Sequence, residues 1–523
     1  LQKILELTGY KRALLLIGLG LCVVAALPPI YIFPLAFVGM GGLFLFLDRC
    51  ETKKQAFLTG WLFGIGFFGG GLYWLTNAFL VNPDKHGWLI PIAVPALAIG
   101  VGLFNGLTTL LAHLSWAYRP KDSAVIGRIL LFACAWTAME WVRSWLFTGF
   151  PWNMMASIWG FSDEILQSTS VFGSFGLSLF TVLATSLSAS FFYREGKQKA
   201  VVALSVLIIP ALLWTSGALR LSDATVEHHD NVVLRLIQPN IAQKTKWDND
   251  HKIENFNTLL DLSLTPPQGD LAPTHIIMPE TAVTYSVNRE PYVLKALASI
   301  TPRGGAVITG TPRMTPRGVQ PFQVWNSLVA INEVGSVVAT YDKFHLVPFG
   351  EYIPLRNWNP IPKLTDGLVD FTPGSGPQTL EIAGLPSVSP LICYEIIFPG
   401  EVVDPQKRPQ WLLNITNDGW YGNSPGPYQH LISAKMRSVE EGLPLVRVGN
   451  TGVSVITDGY GRTQASIPYG VQRFVDVPLA KPLDHIPFFA RYGAASWGGI
   501  LLLLTILGQV LISLPTKQRS TVS

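Results

Sequence analysis

Of four cysteines in a chain of 523 residues, only Cys393 lies outside the long apolar runs and their edges. It sits in Pro390-Leu-Ile-Cys-Tyr-Glu-Ile396, downstream of Met278-Pro-Glu280 and of Lys343-Phe-His-Leu-Val-Pro-Phe-Gly-Glu351. A thiol with a carboxylate and an ammonium to hand is the parts list of a cysteine acyl-transfer centre. At a reference pKa near about 8.5 only a few per cent of a thiol is thiolate at neutral pH, so it needs a base or a nearby positive charge. Glu280, at the predicted end of a strand, could take the proton and later return it to a leaving group. Lys343 could stabilise both the thiolate and the oxyanion of a tetrahedral intermediate, with the backbone N–H of Tyr394 as a second donor. Each residue also has a plainer role open to it. A free cysteine is commonly a small buried hydrophobe, and an isolated Glu or Lys is usually a solvated charge.

The elements that must carry these residues divide the chain in two. It is 49% hydrophobic and only 14% charged, against about 25% charged in soluble domains. The apolar residues concentrate in eight runs, 12–29, 31–47, 56–79, 88–116, 124–147, 167–193, 200–218 and 494–514. Each is read as a transmembrane helix, which needs about 20 apolar residues. Leu27-Pro-Pro-Ile30 breaks the first from the second, since proline cannot continue the helical ladder. Lys11 and Arg12 before the first run would also suit a signal peptide, but no small-residue cleavage site follows, so an anchored helix is expected. Residues 221–490 read as an ordinary globular domain between the seventh and eighth helices. The expected domains are therefore 1–220, 221–490 and 491–523. A net charge of +4 gives nucleic-acid binding little support.

Basic residues in short loops orient such a chain. Lys11, Arg12, Arg49, Lys53, Lys54, Arg119, Lys121, Arg128, Arg194, Lys197, Lys199, Lys517 and Arg519 fall on one side, and only Lys85 on the other. The first side is then cytoplasmic and the 221–490 domain extracytoplasmic. Cysteines there normally pair as disulfides, yet Cys393 has no partner in its domain, which suggests a reactive thiol or an intermolecular bridge.

Within that domain, strands are expected at 231–238, 275–278, 306–309, 327–331, 336–340, 389–393, 411–416, 444–448 and 452–456. Helices are expected at 250–264, 291–300 and 427–442, giving a layered α/β architecture. Leu355–Gly376 is a long proline-rich stretch carrying Trp358, Ile361, Leu364, Leu368 and Phe371. It reads either as an apolar cover over a lipid chain or as a surface loop packed on its own side chains.

Tyr341-Asp-Lys-Phe-His-Leu-Val-Pro-Phe-Gly-Glu-Tyr-Ile-Pro354, Leu391-Ile-Cys-Tyr-Glu395 and Asn417-Asp-Gly-Trp-Tyr-Gly422 resemble the nitrilase superfamily. More narrowly, with seven apolar segments before the domain, one after it, and Glu140-Trp-Val-Arg-Ser-Trp-Leu-Phe-Thr-Gly-Phe-Pro-Trp152, the whole chain resembles the apolipoprotein N-acyltransferase family. The resemblance implies an eight-helix transmembrane bundle plus a nitrilase-like α-β-β-α sandwich. It implies Glu280 as base, Lys343 at the oxyanion and Cys393 as nucleophile, with Glu351 as the supporting second glutamate and Tyr394 and Glu395 as further pocket residues. Met278 stands where the family usually has Trp, and Gly419 where Ala is common; neither removes a reacting group. The implied reaction takes an acyl chain from a phospholipid, phosphatidylethanolamine at its sn-1 position, onto Cys393 as a thioester. The N-terminal amine of an S-diacylglyceryl-cysteine apolipoprotein then accepts it. The implied setting is a monomer in the bacterial inner membrane with its catalytic domain in the periplasm and no metal or other cofactor. A membrane-anchored amidohydrolase is the rival with the same triad; a silent receptor is disfavoured by the retained triad and Glu351.

Other motifs carry less. Gly64-Ile-Gly-Phe-Phe-Gly69 matches a dinucleotide fingerprint but lies in an apolar run with no preceding strand, so helix packing is expected. Glu140 and Arg143, three apart in one run, either pair with each other or hold a lipid headgroup or the domain junction. His228-His229 lacks a second ligand pair at zinc spacing. Asn414-Ile-Thr416 is a sequon in a strand expected to be buried, and Arg437 is expected to form a structural ion pair.

Overall fold

The computed structural model of the chain describes residues 2–117, 124–193, 197–267, 269, 271–356 and 369–514. The chain divides into two compact units. One comprises Leu1–Tyr73, Ile90–Asp223 and Phe488–Ser523, and the other Trp74–Leu89 with Ala224–Pro487.

In the first unit each apolar run carries a helix: Gly9–Val24, Pro34–Asp48, Lys53–Gly71, Ile90–Trp116, Val125–Arg143, Thr169–Leu187, Lys197–Ser222 and Ala495–Ser513. Among the described residues, five helices are long and apolar enough to cross a membrane. There are six if Lys53–Gly71 and Tyr73–Leu80, bent by 50°, form one span. Gly9–Val24 and Pro34–Asp48 stop at 16 and 15 residues, short of the about 20 a bilayer requires. The expected continuous span 56–79 is corrected, because its helix ends at Gly71 after three successive glycines of low helix propensity. From Trp74 to Leu89 the chain belongs to the second unit.

Gly64 and Gly66 of the 64–69 motif are packing residues. A Cβ on Gly64 would lie 2.8 Å from Gly102 Cα, and one on Gly66 only 2.1 Å from Ile17 O. Glu140 and Arg143 are both buried, and both hold the loop that follows their helix. Glu140 Oε1 accepts from Trp136 Nε1 and from Met155 N, each at 3.0 Å. Arg143 Nη1 donates to Trp152 O at 2.8 Å and to Phe150 O. Of the orienting basic residues, Arg119, Lys121, Arg194, Lys517 and Arg519 lie outside the described residues, and Arg128 is buried in an ion pair with Asp48 at 2.8 Å.

The second unit is built on eleven strands among its described residues. They are β1 (His228–Gln238), β2 (His275–Ile277), β3 (Ala306–Met314), β4 (Val324–Asn332), β5 (Val337–Asp342), β6 (Val388–Ile392), β7 (Trp411–Thr416), β8 (Leu445–Gly449), β9 (Ser454–Thr457), β10 (Thr463–Ile467) and β11 (Arg473–Ala480). A six-stranded sheet runs β11-β1-β2-β3-β4-β5, and a five-stranded sheet runs β10-β9-β8-β7-β6. β10 and β11 have no counterpart among the strands expected from sequence. Both are edge strands of mixed burial, and β11 contains Pro478, so neither shows a clean apolar alternation.

Side-chain alternation of period two builds the layers. Leu234, Leu236, Ile277, Ile308, Leu328 and Ala330 of the larger sheet share a core with Ile392, Leu413, Ile415, Val446 and Val448 of the smaller. Their neighbours Ile237, Ile276, Val307, Val329 and Ile331 face the other way, onto Leu259 of helix Lys252–Leu264 and Val293, Leu297 and Ile300 of helix Pro291–Ile300. Helix Gly426–Glu441 packs on the smaller sheet. The result is a four-layer α-β-β-α sandwich, as the resemblance implied.

Candidate active site

Strand direction gathers the candidates at one edge. β2 runs parallel to β3, and β4 and β5 each reverse direction. The carboxyl ends of β2 and β5 and the amino end of β4 therefore share an edge, carrying Glu280, Lys343 and Asn326. Cys393 follows β6 of the other sheet. All are nearly buried, Lys343 being 1% exposed, Cys393 6% and Glu280 7%.

Lys343 is held between two carboxylates. Its Nζ lies 2.9 Å from Glu351 Oε2 and 3.6 Å from Glu280 Oε1. Asn326 Nδ2 donates to Glu280 Oε1 and Glu351 Oε1, both at 2.8 Å, so one amide fixes the spacing of the pair. Glu351 is itself braced, its Oε2 accepting from Val347 N at 2.8 Å. Burial pulls the Lys343 ammonium down, but Glu351 and Glu280 more than offset it and hold the group above its ordinary value. The lysine is a fixed positive charge.

Cys393 caps its strand in the left-handed region, with φ +54°. That conformation costs a non-glycine residue about 1–3 kcal/mol and survives only where its surroundings impose it. Here the surroundings are a buried polar network beneath the turn. His430 Nε2 donates to Cys393 O at 3.1 Å, and Asn414 Nδ2 reaches the same carbonyl at 3.4 Å. His430 Nδ1 lies 3.0 Å from Asp418 Oδ1, and Arg447 Nη2 donates to Asp418 Oδ2 at 2.7 Å. Burial would raise the Asp418 carboxyl, but Arg447, His430 and Thr416 outweigh it and hold it at about 2.

The thiol itself is pushed up to about 12, first by burial, then by the Glu280 and Asp418 carboxylates, with Lys343 and a hydrogen bond to Thr416 opposing. A resting thiol of this kind stays protonated. Reaction therefore needs a base that accepts the proton as attack occurs, which is what an adjacent carboxylate offers. The Tyr421 hydroxyl shares a hydrogen bond with the thiol, and burial followed by the nearby Cys393 and Asp418 keeps it neutral.

Glu395 has a bracing place. Its Oε1 accepts from Phe344 N at 2.7 Å and His345 N at 3.2 Å, and its Oε2 from Ile392 N at 2.6 Å and the Tyr341 hydroxyl at 2.9 Å. It thus ties the segment after Lys343 to the residue before Cys393. Burial raises its carboxyl to about 7 against those N–H bonds. Tyr394 packs its ring at 5.7 Å from His345 and 5.2 Å from Phe398. Of the Leu355–Gly376 stretch, residues 357–368, with Trp358, Ile361, Leu364 and Leu368, lie outside the described residues. Phe371 N donates to Glu351 O at 2.9 Å and Gly374 N to Lys343 O at 2.8 Å, so its far end is tied to two site residues.

Several site residues were not singled out from sequence. Asn326 lies in an ordinary strand pattern, and only the register opposite Lys343 gives it meaning. Trp74, from a run read as transmembrane, is 1% exposed, lies 4.5 Å from the Tyr421 ring and donates from Nε1 to Gln429 Oε1 at 3.1 Å. Asn77 Nδ2 donates to Tyr421 O at 2.7 Å. Arg437 is a buried ion-pair partner, 2.6 Å from Glu440.

Gly310 in β3 shows how tightly the Glu280 turn is seated. A Cβ there would lie 2.3 Å from Thr281 N and 2.7 Å from Glu280 Cα. Gly310→Ala is expected to displace the Glu280 carboxylate and lower acyl-adduct formation about 10²-fold, the cost of roughly 1 Å of misplacement. Far-UV circular dichroism should stay unchanged; unaltered kinetics would show that the turn gives way freely.

Residues 19–187 match the apolipoprotein N-acyltransferase N-terminal domain, and residues 234–472 the carbon-nitrogen hydrolase domain. The apolipoprotein N-acyltransferase of Rhodopseudomonas palustris is 36% identical over 519 residues, 95% of each chain. That of Bradyrhizobium diazoefficiens is 37% identical over 515 residues, 95% of this chain and 94% of its own. The corresponding protein of Brucella melitensis is 34% identical over 528 aligned residues, 97% of this chain and 96% of its own.

Proposed function

The chain belongs to the apolipoprotein N-acyltransferase family, and we propose that it moves a fatty acyl chain from a membrane phospholipid to the N-terminal amine of an S-diacylglyceryl-cysteine apolipoprotein. The observation that carries this reading is the buried thiol of Cys393 facing Glu280 and the doubly paired Lys343, in a chain with at least five membrane-length apolar helices among its described residues.

In the first half-reaction Glu280 takes the Cys393 proton as sulfur attacks the ester carbonyl. The carbonyl oxygen gains negative charge beside Lys343, with Tyr394 N–H as second donor. The C–O bond to glycerol then breaks, Glu280 returns the proton to that oxygen, and a lysophospholipid leaves a thioester. In the second half the α-amine attacks the thioester, giving its proton to Glu280. The C–N bond forms, the C–S bond breaks and the thiol is restored. A covalent intermediate shared by two substrates gives ping-pong kinetics. Glu351 and Asn326 set the reach of the acid–base pair, and Glu395 joins the two segments that bear Lys343 and Cys393.

The proposed donor is phosphatidylethanolamine and the proposed acceptor a diacylated apolipoprotein. The proposed setting is a multi-pass monomer in the bacterial inner membrane, its 221–490 domain periplasmic. The excess of basic residues on one set of loops supports that orientation.

Intact-mass analysis tests the reaction. Protein incubated with phosphatidylethanolamine vesicles should gain fatty-acyl mass on Cys393 and lose it to a synthetic diacylated lipopeptide. Discharge by water alone would make the protein a hydrolase. The lack of any adduct under rapid quench would overturn the reading.

A further inference from the structure

A second lysine reaches this centre. Lys246 lies in the turn after β1, and β1 runs parallel to β2, so its turn emerges on the same edge as Glu280. The side chain is 1% exposed, and its Nζ donates to the main-chain carbonyl of Glu280 at 3.0 Å. Among the described residues that carbonyl is the one hydrogen-bond acceptor the ammonium has. A buried ammonium with one neutral acceptor is costly unless anions lie nearby, and the groups facing it are Glu280, after β2, and Cys393, after β6. Lys343, after β5, pairs with the Glu280 carboxylate separately.

The carbonyl it holds is a particular one. The next residue, Thr281, has φ +45°, a left-handed turn that a β-branched side chain disfavours. Gly310 leaves room on one side of this turn, and Lys246 grips it through Glu280 O.

We propose that Lys246 is a positioning residue of the acyl-transfer centre: its ammonium pins the Glu280 peptide, sets the reach of that carboxylate toward the thiol, and adds a second positive charge facing the anion made at Cys393. The inference rests on the reading of Cys393 as nucleophile. Burial lowers the ammonium to about 8, with Glu280 and Cys393 holding it up, so the charge is present at neutral pH and lost as pH rises through that value.

The test is the rate of acyl-adduct formation on Cys393 of the full-length protein in phosphatidylethanolamine vesicles, followed by mass from pH 6 to 10. The wild-type rate should fall through a limb near 8. Lys246→Met should be slower at pH 7 by about 10- to 100-fold, the usual worth of a hydrogen bond from a charged donor, and should lack the limb. Lys246→Arg, charged throughout this range, should recover part of the rate and keep it at pH 9. A limb that persists in Lys246→Met, whatever the loss of rate, overturns the proposal, because a merely structural lysine would slow all pH values alike. Should Lys246→Met not fold, a wild-type profile without the limb overturns it on its own, and a limb unmoved in Lys246→Arg does the same. No wild-type adduct at any pH defeats the acyl-transfer reading instead, so the two failures are distinct.

Discussion

Cys393→Ala is expected to lower acyl transfer by at least about 10⁴-fold, the scale seen when a nucleophile acting as part of a unit is removed. The other three cysteines, Cys22, Cys50 and Cys134, belong to the helical unit. The loss should come with little damage to the fold. The sulfur occupies a small share of the inter-sheet core, and the carbonyl that His430 and Asn414 hold belongs to the backbone and survives the change. Two measurements check this: the fatty-acyl mass increment should vanish, and the melting temperature should stay within a few degrees. A variant that still transfers acyl chains above one part in about 10² would require a route with no thioester.

Glu280→Gln separates base chemistry from scaffolding, because its two readouts should move in opposite directions. Gln keeps an oxygen that can accept from Asn326 Nδ2 in place of Glu280 Oε1 but cannot take a proton. Adduct formation from phospholipid should fall by about 10²–10⁴-fold, the range of general acid–base catalysis. The thiol's high pKa comes first from burial and next from the Glu280 carboxylate. Removing that negative charge should bring the thiol down toward Lys343's influence, so iodoacetamide should alkylate Cys393 faster in the variant than in wild type at pH 9. If transfer and alkylation both fell, Glu280 would be holding the site together and not acting as its base.

Much of this centre was legible in the chain. The strand ends at Ile277, Asp342 and Ile392 lie within three residues of Glu280, Lys343 and Cys393, and the helices at 252–264, 291–300 and 426–441 sit close to their expected ranges. Local pattern suffices there, since alternation and turn residues act over a few positions. The edge strands β10 and β11 were not legible because an edge needs only one paired side and tolerates polar residues and proline. The run 56–79 misled for a related reason. Apolar composition is the same whether a segment meets lipid or packs in protein, and Trp74 is buried against Tyr421 and Gln429.

By itself the sequence picked out the candidate groups and determined the layered α/β class, because residue chemistry and periodicity are written locally. Only the tertiary structure decided which charges meet. The reversals of β4 and β5 set Asn326 opposite Lys343, a parallel β1 delivers Lys246 to the Glu280 peptide, and a network of His430, Asp418 and Arg447 holds Cys393 at φ +54°. Such pairings depend on strand order and direction across more than a hundred residues. Spacing along a chain carries no record of that.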